Sequence, residues 1–273
     1  MKAIVSKKVH SNILEKKKSK IAQKLDNMFL ELYRVHIFIT KFFKEAFTPP
    51  YEGKEILKQC YQVGYKSLAL ISLTGFITGV VFTKQSRPSL AEFGATSWLP
   101  SLVGIAMLRT LAPLLTALIS AGKVGSSIGA ELGSMKVTEQ IDAMEVSASN
   151  PFSFLVVTRV IATSITIPIL TFYTALVALL GAFVNVTLAE NTSFLAFVQS
   201  FLESITFLDI TASTFKALLF GFTIGMVGCY QGYNSSKGTE GVGKAANSAV
   251  VVGMFLVFIE EVIVTQITFL FRT

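Results

Sequence analysis

Residues 160–189, VIATSITIPILTFYTALVALLGAFVNVTLA, run for their whole length without one charged side chain. About 20 consecutive apolar residues cross the ~30 Å hydrocarbon core of a bilayer as an α-helix. A helix or a closed barrel alone satisfies its backbone polar groups there. The run is uniformly apolar and lacks the two-residue alternation of a barrel strand, so it reads as a membrane helix. Three further stretches, 67–83, 217–236 and 245–259, are equally free of charge. Across 273 residues the chain is 52% hydrophobic and only 15% charged, with a mean hydropathy of +0.60. That balance excludes a soluble globular domain. The fold class is therefore all-α and polytopic, with about five transmembrane helices expected at 64–84, 97–122, 152–186, 207–231 and 246–271. Pro168 within the third predicts a kink or tilt there.

Five crossings put the two ends on opposite sides of the membrane. Fourteen of the 24 Lys and Arg fall in residues 1–66, and the excess of positive charge places the N-terminus in the cytoplasm. The loops 123–150 and 232–245 are then cytoplasmic and carry Lys123, Lys136, Lys237 and Lys244. Loop 187–206 has no Lys or Arg and faces out. Lys84 and Arg87 fall on the outer side against this trend, so the orientation rests on the N-terminus.

Residues 1–50 read as a basic tail followed by an amphipathic helix, and residues 51–273 as the membrane domain. Ile21, Leu25, Met28, Phe29, Leu32, Val35, Ile39, Phe42 and Phe43 recur at helical spacing among Lys24, Arg34, Lys41 and Lys44. Pro49-Pro50 ends the pattern. Such a helix lies in the membrane interface against anionic headgroups, or packs on the chain's own spans. No apolar core with a cleavage site follows the lysines, so the segment is not a cleavable signal.

Several chemistries find no support. Cys60 and Cys229 have no redox or metal spacing, and both histidines precede residue 37, so neither a metal site nor a catalytic triad is expected. Gly238-Thr239-Glu240-Gly241-Val242-Gly243-Lys244-Ala245 approaches a phosphate-binding loop. It lacks the hydroxyl residue after the lysine and a preceding strand, and reads as a flexible cytoplasmic turn. Nothing suggests a nucleic-acid partner.

Glycines recur every fourth residue at Gly75 and Gly79, at Gly125, Gly129 and Gly133, and at Gly221 and Gly225. Small residues at this step let helices approach closely in lipid, either within the chain or across a homodimer whose interface lines a substrate path. Three charges also sit at membrane depth: Arg109 midway along the second span, and Glu260 and Glu261 midway along the fifth. Each costs about 2.5–3.5 kcal/mol at a helix centre, so such groups face a cavity or a partner. Arg109 is expected to pair with Glu260 or Glu261, bordering a transport cavity or forming a structural ion pair. Lys216 and Arg159 read as snorkelling near span ends.

Between the second and third spans lies a short amphipathic segment near 134–149. Val137, Ile141, Met144 and Ala148 fall on one helical face, and Glu139, Asp142 and Glu145 on the other. It suits a membrane surface or a partner's groove. The wider run includes Leu108-Arg109, Pro113, Leu118, Ala121-Gly122, Gly125, Gly129-Ala130-Glu131-Leu132-Gly133, the stretch Met135 to Met144, and Asn150-Pro151. In these residues it resembles the signature region of the MlaE/YrbE permeases, membrane subunits of bacterial ABC systems that move phospholipids between membranes. The likeness continues through Arg159-Val160-Ile161-Ala162, Pro168, Tyr230-Gln231-Gly232-Tyr233 and Gly238 to Ala246. It covers residues 55–273 and is weaker in the N-terminal helix.

The resemblance implies a homodimeric permease of the bacterial inner membrane that carries phospholipid or a similar amphiphile and performs no catalysis itself. ATP and magnesium would bind a separate cytoplasmic ABC ATPase, leaving no cofactor on this chain. The coupling helix docking into that ATPase would draw on Glu131, Lys136, Glu139, Gln140, Asp142, Met144 and Glu145. An MCE-domain periplasmic protein would meet the outer end, and a STAS-domain protein often accompanies the ATPase. Glu261 with Thr265 resembles the family's acidic residue and threonine in the last span. Two departures stand out. Arg109-Thr110-Leu111-Ala112-Pro113 replaces a common arginine-glutamate-leucine-glycine-proline, and Lys123 replaces a common arginine, keeping the charge without the bidentate fork. The alternative is an ion-coupled secondary transporter using Glu260 and Glu261 as proton sites. Inverted repeats would favour it, and the sequence shows none. A membrane scaffold would not need charges at membrane depth.

Overall fold

A computed structural model describes residues 25–49, 51–147, 149–190, 192–236 and 238–272. The basic tail 1–24, with Ile21 and Lys24, lies outside the described residues, as do Pro50, Ala148 and Lys237. The chain divides into two compact units, residues 1–49 and 50–273. In the first, α1 (25–46) is a helix carrying the Glu31–Arg34 ion pair one turn apart, and Thr48 donates to the Lys44 carbonyl at its end.

Every described element of the second unit is helical. Five helices are long and apolar enough to cross a membrane: α2 (Gly53–Glu92), α3 (Thr96–Val137), α5 (Ser153–Glu190), α7 (Phe207–Tyr233) and α8 (Thr239–Leu270). Two short ones, α4 (Gln140–Val146) and α6 (Phe194–Ser204), join them. Each expected span coincides with one of the long helices, overrunning it by one residue at most, at Phe152 and Phe271. The helices run further elsewhere because hydropathy marks only the part of a helix that lies in hydrocarbon. At 1.5 Å per residue, the 42 residues of α3 reach about 63 Å, twice the bilayer core. The charged stretch 123–137, expected in a loop, is thus the continuation of α3. Likewise Thr239–Lys244, expected in a flexible turn, is the first turn and a half of α8, entered from Gly238 at φ 92°.

Helix α5 lies at the centre, against α2, α3 and α7, while α8 packs on α7 and the end of α3. Its inward face is small and hydroxylic: Ala162, Thr163, Thr171, Thr174, Ala178, Gly181 and Ala182 are all buried. In lipid the close fit itself holds helices together, and α2 and α5 interlock reciprocally. A Cβ on Gly79 would lie 1.9 Å from the Ala178 carbonyl oxygen, and one on Gly181 would lie 2.4 Å from that of Phe76. Thr116 on α3 and Thr174 on α5 share a buried hydrogen bond of 2.7 Å, and Thr174 also donates to the Leu170 carbonyl.

Helix α3 is segmented. Two π turns, Met107–Leu111 and Ala121–Gly125, bracket an α-helical stretch from Ala112 to Ser120, and a third π turn, Ser153–Val157, opens α5. Such turns concentrate at functional positions. Here the first carries Arg109 and the second Lys123.

The expected outer loop 187–206 contains α6. Ser193 caps it by accepting from the Ala196 amide at 3.2 Å, and Phe197 packs with Leu99, Val103 and Met107 of α3. Phe194, Phe197, Val198 and Phe201 fall on one face, so the segment is amphipathic but too short to span.

Candidate functional site

Three helices bring five charges and a threonine together. Asp209 sits in the first turn of α7, where Thr206 builds a capping box with it: the Thr206 amide and hydroxyl both donate to Oδ2, at 2.9 and 2.8 Å. The same carboxylate receives the Arg109 guanidinium. Nη2 donates to Oδ2 at 2.9 Å and Nε lies 2.6 Å from Oδ1. The Nη2 contact is a charge-assisted hydrogen bond of the strong kind, and the Nε approach adds a close ion-pair contact without hydrogen-bond alignment. Arg272, just past the end of α8, approaches Oδ1 at 3.7 Å.

Two turns along α7, Lys216 is buried and uses all three ammonium protons. It donates to Glu261 Oε1 at 2.6 Å, to Thr265 Oγ1 at 2.8 Å and to the Arg109 carbonyl at 3.1 Å. Thr265 donates in turn to Glu261 at 3.0 Å. The Arg109 carbonyl belongs to a π turn, and Lys216 ties that turn to α8. A cavity of about 170 Å³ opens against the network, lined by Arg109, Thr110, Asp209, Ala212, Lys216, Thr265, Thr268, Phe269 and Arg272. Three cations face two carboxylates, leaving one positive charge in excess.

Arg109 therefore pairs with Asp209, and neither Glu260 nor Glu261 is its partner. The capping box fixes the Asp209 carboxylate within reach of the guanidinium, while Lys216 occupies Glu261. Glu260 projects elsewhere and accepts from the Thr223 hydroxyl. Lys216 does not snorkel, being 3% exposed inside the network. Arg159 does not snorkel either: it too is 3% exposed, bridges to Glu131 at 2.9 Å and donates to the Leu155 carbonyl at 2.9 Å. Asp209 escaped the sequence reading because it stands only two residues inside its helix. Lys216 had a signal: a single cation flanked by apolar residues in a span calls for an acid at the same depth.

At the opposite end, α3 stops at Val137 and the chain reverses through Thr138 and Glu139. Glu139 has φ 58°, the one non-glycine residue with positive φ among those described. The seven residues of α4 follow. Ile141 is fully buried and anchors α4, Met144 is half-buried, and Gln140, Asp142 and Glu145 face outward. Lys136 bridges back to Asp142 at 2.7 Å, and Val146 is exposed. Glu131 is committed to Arg159, which joins α3 to α5 behind this turn.

The repeated glycines serve contacts inside the chain. A Cβ at Gly221 would meet the Thr163 carbonyl oxygen at 2.6 Å, and one at Gly225 the Thr163 hydroxyl at 2.2 Å. Gly129 lies close to the Ala245 carbonyl and Gly75 to that of Thr174, while Gly125 and Gly133 have room for ordinary contacts.

Comparison with known proteins agrees with this architecture. The family model described as Permease MlaE matches residues 56–267. A probable ABC transporter permease protein of Rickettsia typhi is 36% identical over 221 residues, covering 81% of this chain and 85% of the relative. Another, from Synechocystis, is 36% identical over 219 residues, 79% of this chain and 82% of that one. The chloroplastic Arabidopsis thaliana protein trigalactosyldiacylglycerol 1 is 29% identical over 216 residues, 79% of this chain and 62% of its own length. None of these gives support to the ion-coupled alternative. The chain belongs to the MlaE family of ABC transporter permeases, a multi-pass membrane subunit whose driving ATPase is a partner.

Proposed function

We propose that this permease moves a phospholipid or similar amphiphile between the inner and outer membranes of a bacterium. It works as a homodimer, with its N-terminus in the cytoplasm. The observation that carries the reading is the cavity beside Arg109. Its excess positive charge stands among Ala212, Phe269 and the methyl groups of Thr110, Thr265 and Thr268. An anionic head joined to an apolar body suits such walls, whereas a hydrophilic solute gains nothing from them. The Arabidopsis relative, whose name contains that of a glycolipid, points the same way.

ATP and magnesium belong to the partner ATPase, and this chain contributes no catalytic residue and no cofactor. Helix α4 is the coupling element: Ile141 roots it in the membrane domain, and Gln140, Asp142, Glu145 and the turn residue Glu139 meet the ATPase. The Lys136–Asp142 bridge and the Glu131–Arg159 pair stiffen the path from α4 into α3 and α5. Met144 supplies an apolar edge to that contact. An MCE-domain periplasmic protein receives or delivers lipid at the far end, and a STAS-domain protein binds the ATPase.

The test is purification of the chain from its native membrane in mild detergent, with mass spectrometry of what accompanies it. An ABC ATPase at equal stoichiometry, an MCE-domain protein and bound phospholipid are expected. A chain that leaves the membrane without ATPase or lipid in several mild detergents overturns the reading. Charge reversal at Glu139 and Asp142 to Lys should release the ATPase while the membrane domain stays folded.

A further inference from the structure

A second cavity, far from the Arg109 network along α3, has been given no ligand above, although its rim residue Glu131 belongs to the Glu131–Arg159 pair. It holds about 100 Å³ and is lined by Gln59, Gln62, Val63, Lys66, Lys123, Val124, Ser127, Ile128 and Glu131. Two breaks in regular helix create it. The 3₁₀ turn Tyr65–Ser67 interrupts α2 and the π turn Ala121–Gly125 interrupts α3. Lys123 joins them by donating to the Lys66 carbonyl. Val63, Val124 and Ile128 form a buried apolar floor, Gln59 is buried beside them, and Lys66, Lys123 and Ser127 stand exposed around the mouth.

The charges are unbalanced. Glu131, the acid on the rim, is held by the buried Arg159 at 2.9 Å, so it is already neutralised. Glu55, one turn below Gln59, is shared between Lys58 and the Gln59 amide. Neither carboxylate bridges to Lys66 or Lys123. Lys123 spends one ammonium proton on a neutral carbonyl, and both lysines are exposed and line the cavity. With the Ser127 hydroxyl and the Gln62 amide, they form a cluster of donors facing a site of net positive charge.

Depth identifies the ligand's chemistry. Lys66 immediately precedes the charge-free run 67–83, and Lys123 ends the apolar part of α3. Both therefore stand at a membrane–water boundary, on the side that carries α4. Anionic phosphate groups of lipids are concentrated at that level and attract basic groups near the surface. We propose that Lys66 and Lys123, with Ser127 and Gln62, form a phosphate-binding site at this boundary. A phospholipid headgroup of that leaflet is one source of the phosphate and free phosphate in the aqueous phase the other. At about 100 Å³ the cavity has room for a group the size of a phosphate, so the site would hold a lipid by that group. Occupancy there would clamp the α2 and α3 breaks together, independently of whether the bound molecule is cargo.

The experiment is lysine footprinting of the full-length chain. Protein in alkyl-glycoside micelles, which contain no phosphate, is treated with an amine-acylating reagent. The rates at Lys66 and Lys123 are read by mass spectrometry against Lys244 as an internal reference. Phosphatidylglycerol or inorganic phosphate is then added. Protection of Lys66 and Lys123 by at least threefold, with Lys244 unchanged, is expected from one or both. Protection by the lipid alone assigns the site to a headgroup; protection by inorganic phosphate alone assigns it to a soluble phosphate. Ser127→Trp, which fills the cavity mouth and leaves both lysines in place, should abolish the protection. Equal acylation with and without either phosphate source, or protection that survives Ser127→Trp, overturns the proposal. None of these readouts needs the ATPase or transport, so their failure is distinct from failure of the permease reading.

Discussion

Replacing Lys216 by Met removes the centre of the buried network, and its cost can be worked from the contacts. Lys216 and Glu261 have side chains 4% and 10% exposed, with their charged atoms 2.6 Å apart. The substitution deletes three donated hydrogen bonds and leaves the Glu261 carboxylate with the Thr265 hydroxyl at 3.0 Å as its remaining donor. Removing one partner of a buried pair costs about 3–5 kcal/mol, because the other charge stays buried and uncompensated. For a chain of this size each kcal/mol moves Tm by roughly 2–4 °C, so Lys216→Met should lower Tm by about 6–20 °C. Replacing both partners removes the orphaned charge, and such apolar exchanges are often neutral or better. The double variant Lys216→Met/Glu261→Leu should therefore recover most of the loss. Cys229 is fully buried, so reaction of a thiol-reactive dye on heating reports unfolding, with Cys60→Ser removing the half-exposed background thiol. Glu260→Gln is the control. Its contact is a hydroxyl donating to one oxygen, which an amide oxygen accepts equally well, so its Tm should stay near that of the parent. If the Lys216 and Glu261 losses simply add, to within about 0.5 kcal/mol, the two residues are not coupled and the network reasoning fails.

Three further outcomes follow from the geometry. Gly79→Ala would press a methyl to 1.9 Å from the Ala178 carbonyl oxygen and should cost about 3 kcal/mol or more by overpacking, whereas Gly53→Ala, with nothing within 4 Å, should leave Tm unchanged or slightly raised in the same dye assay. Glu139→Gly removes a left-handed penalty of about 1–2 kcal/mol at φ 58°, partly offset by the freedom glycine adds to the unfolded chain. Amide exchange across Gln140–Val146 should slow severalfold, and unchanged or faster exchange would show that the turn is not strained. Arg159→Met should cost less than Lys216→Met in Tm, because the partner it abandons, Glu131, is 46% exposed and water takes over its solvation. An equal loss would mean that the buried guanidinium acts chiefly through the Leu155 carbonyl and its packing.

The helices were legible and the charge pairing was not, for a physical reason. A span is a local property: thirty uncharged residues such as 160–189 specify a membrane helix whatever surrounds them. Helix ends are less local, since α3 continues through Lys123, Glu131 and Lys136 into water, where hydropathy is silent but backbone hydrogen bonding still favours helix. Ion pairing is not local at all. Arg109 and Asp209 are 100 residues apart, and depth alone made Glu260 and Glu261 look like equal candidates. A helix offers its two adjacent residues about 100° apart, so the two glutamates could not serve one partner. The choice between them is made by which faces α7 at Lys216, a matter of packing. The π turns sharpen the point. Inserting one extra residue into a turn rotates everything beyond it relative to an ideal helix, and each of the two insertions in α3 carries a cation, Arg109 in one and Lys123 in the other. A regular 3.6-residue projection across the whole of α3 therefore misassigns the face of one cation relative to the other, whatever care is taken with spacing. Between them lies the short segment Ala112–Ser120, anchored to α5 by the Thr116–Thr174 hydrogen bond. The Arg109 network borders it at one end and the Lys66–Lys123 junction at the other. A change at either end that converts a π turn to α would shift the register by one residue, about 1.5 Å and 100°.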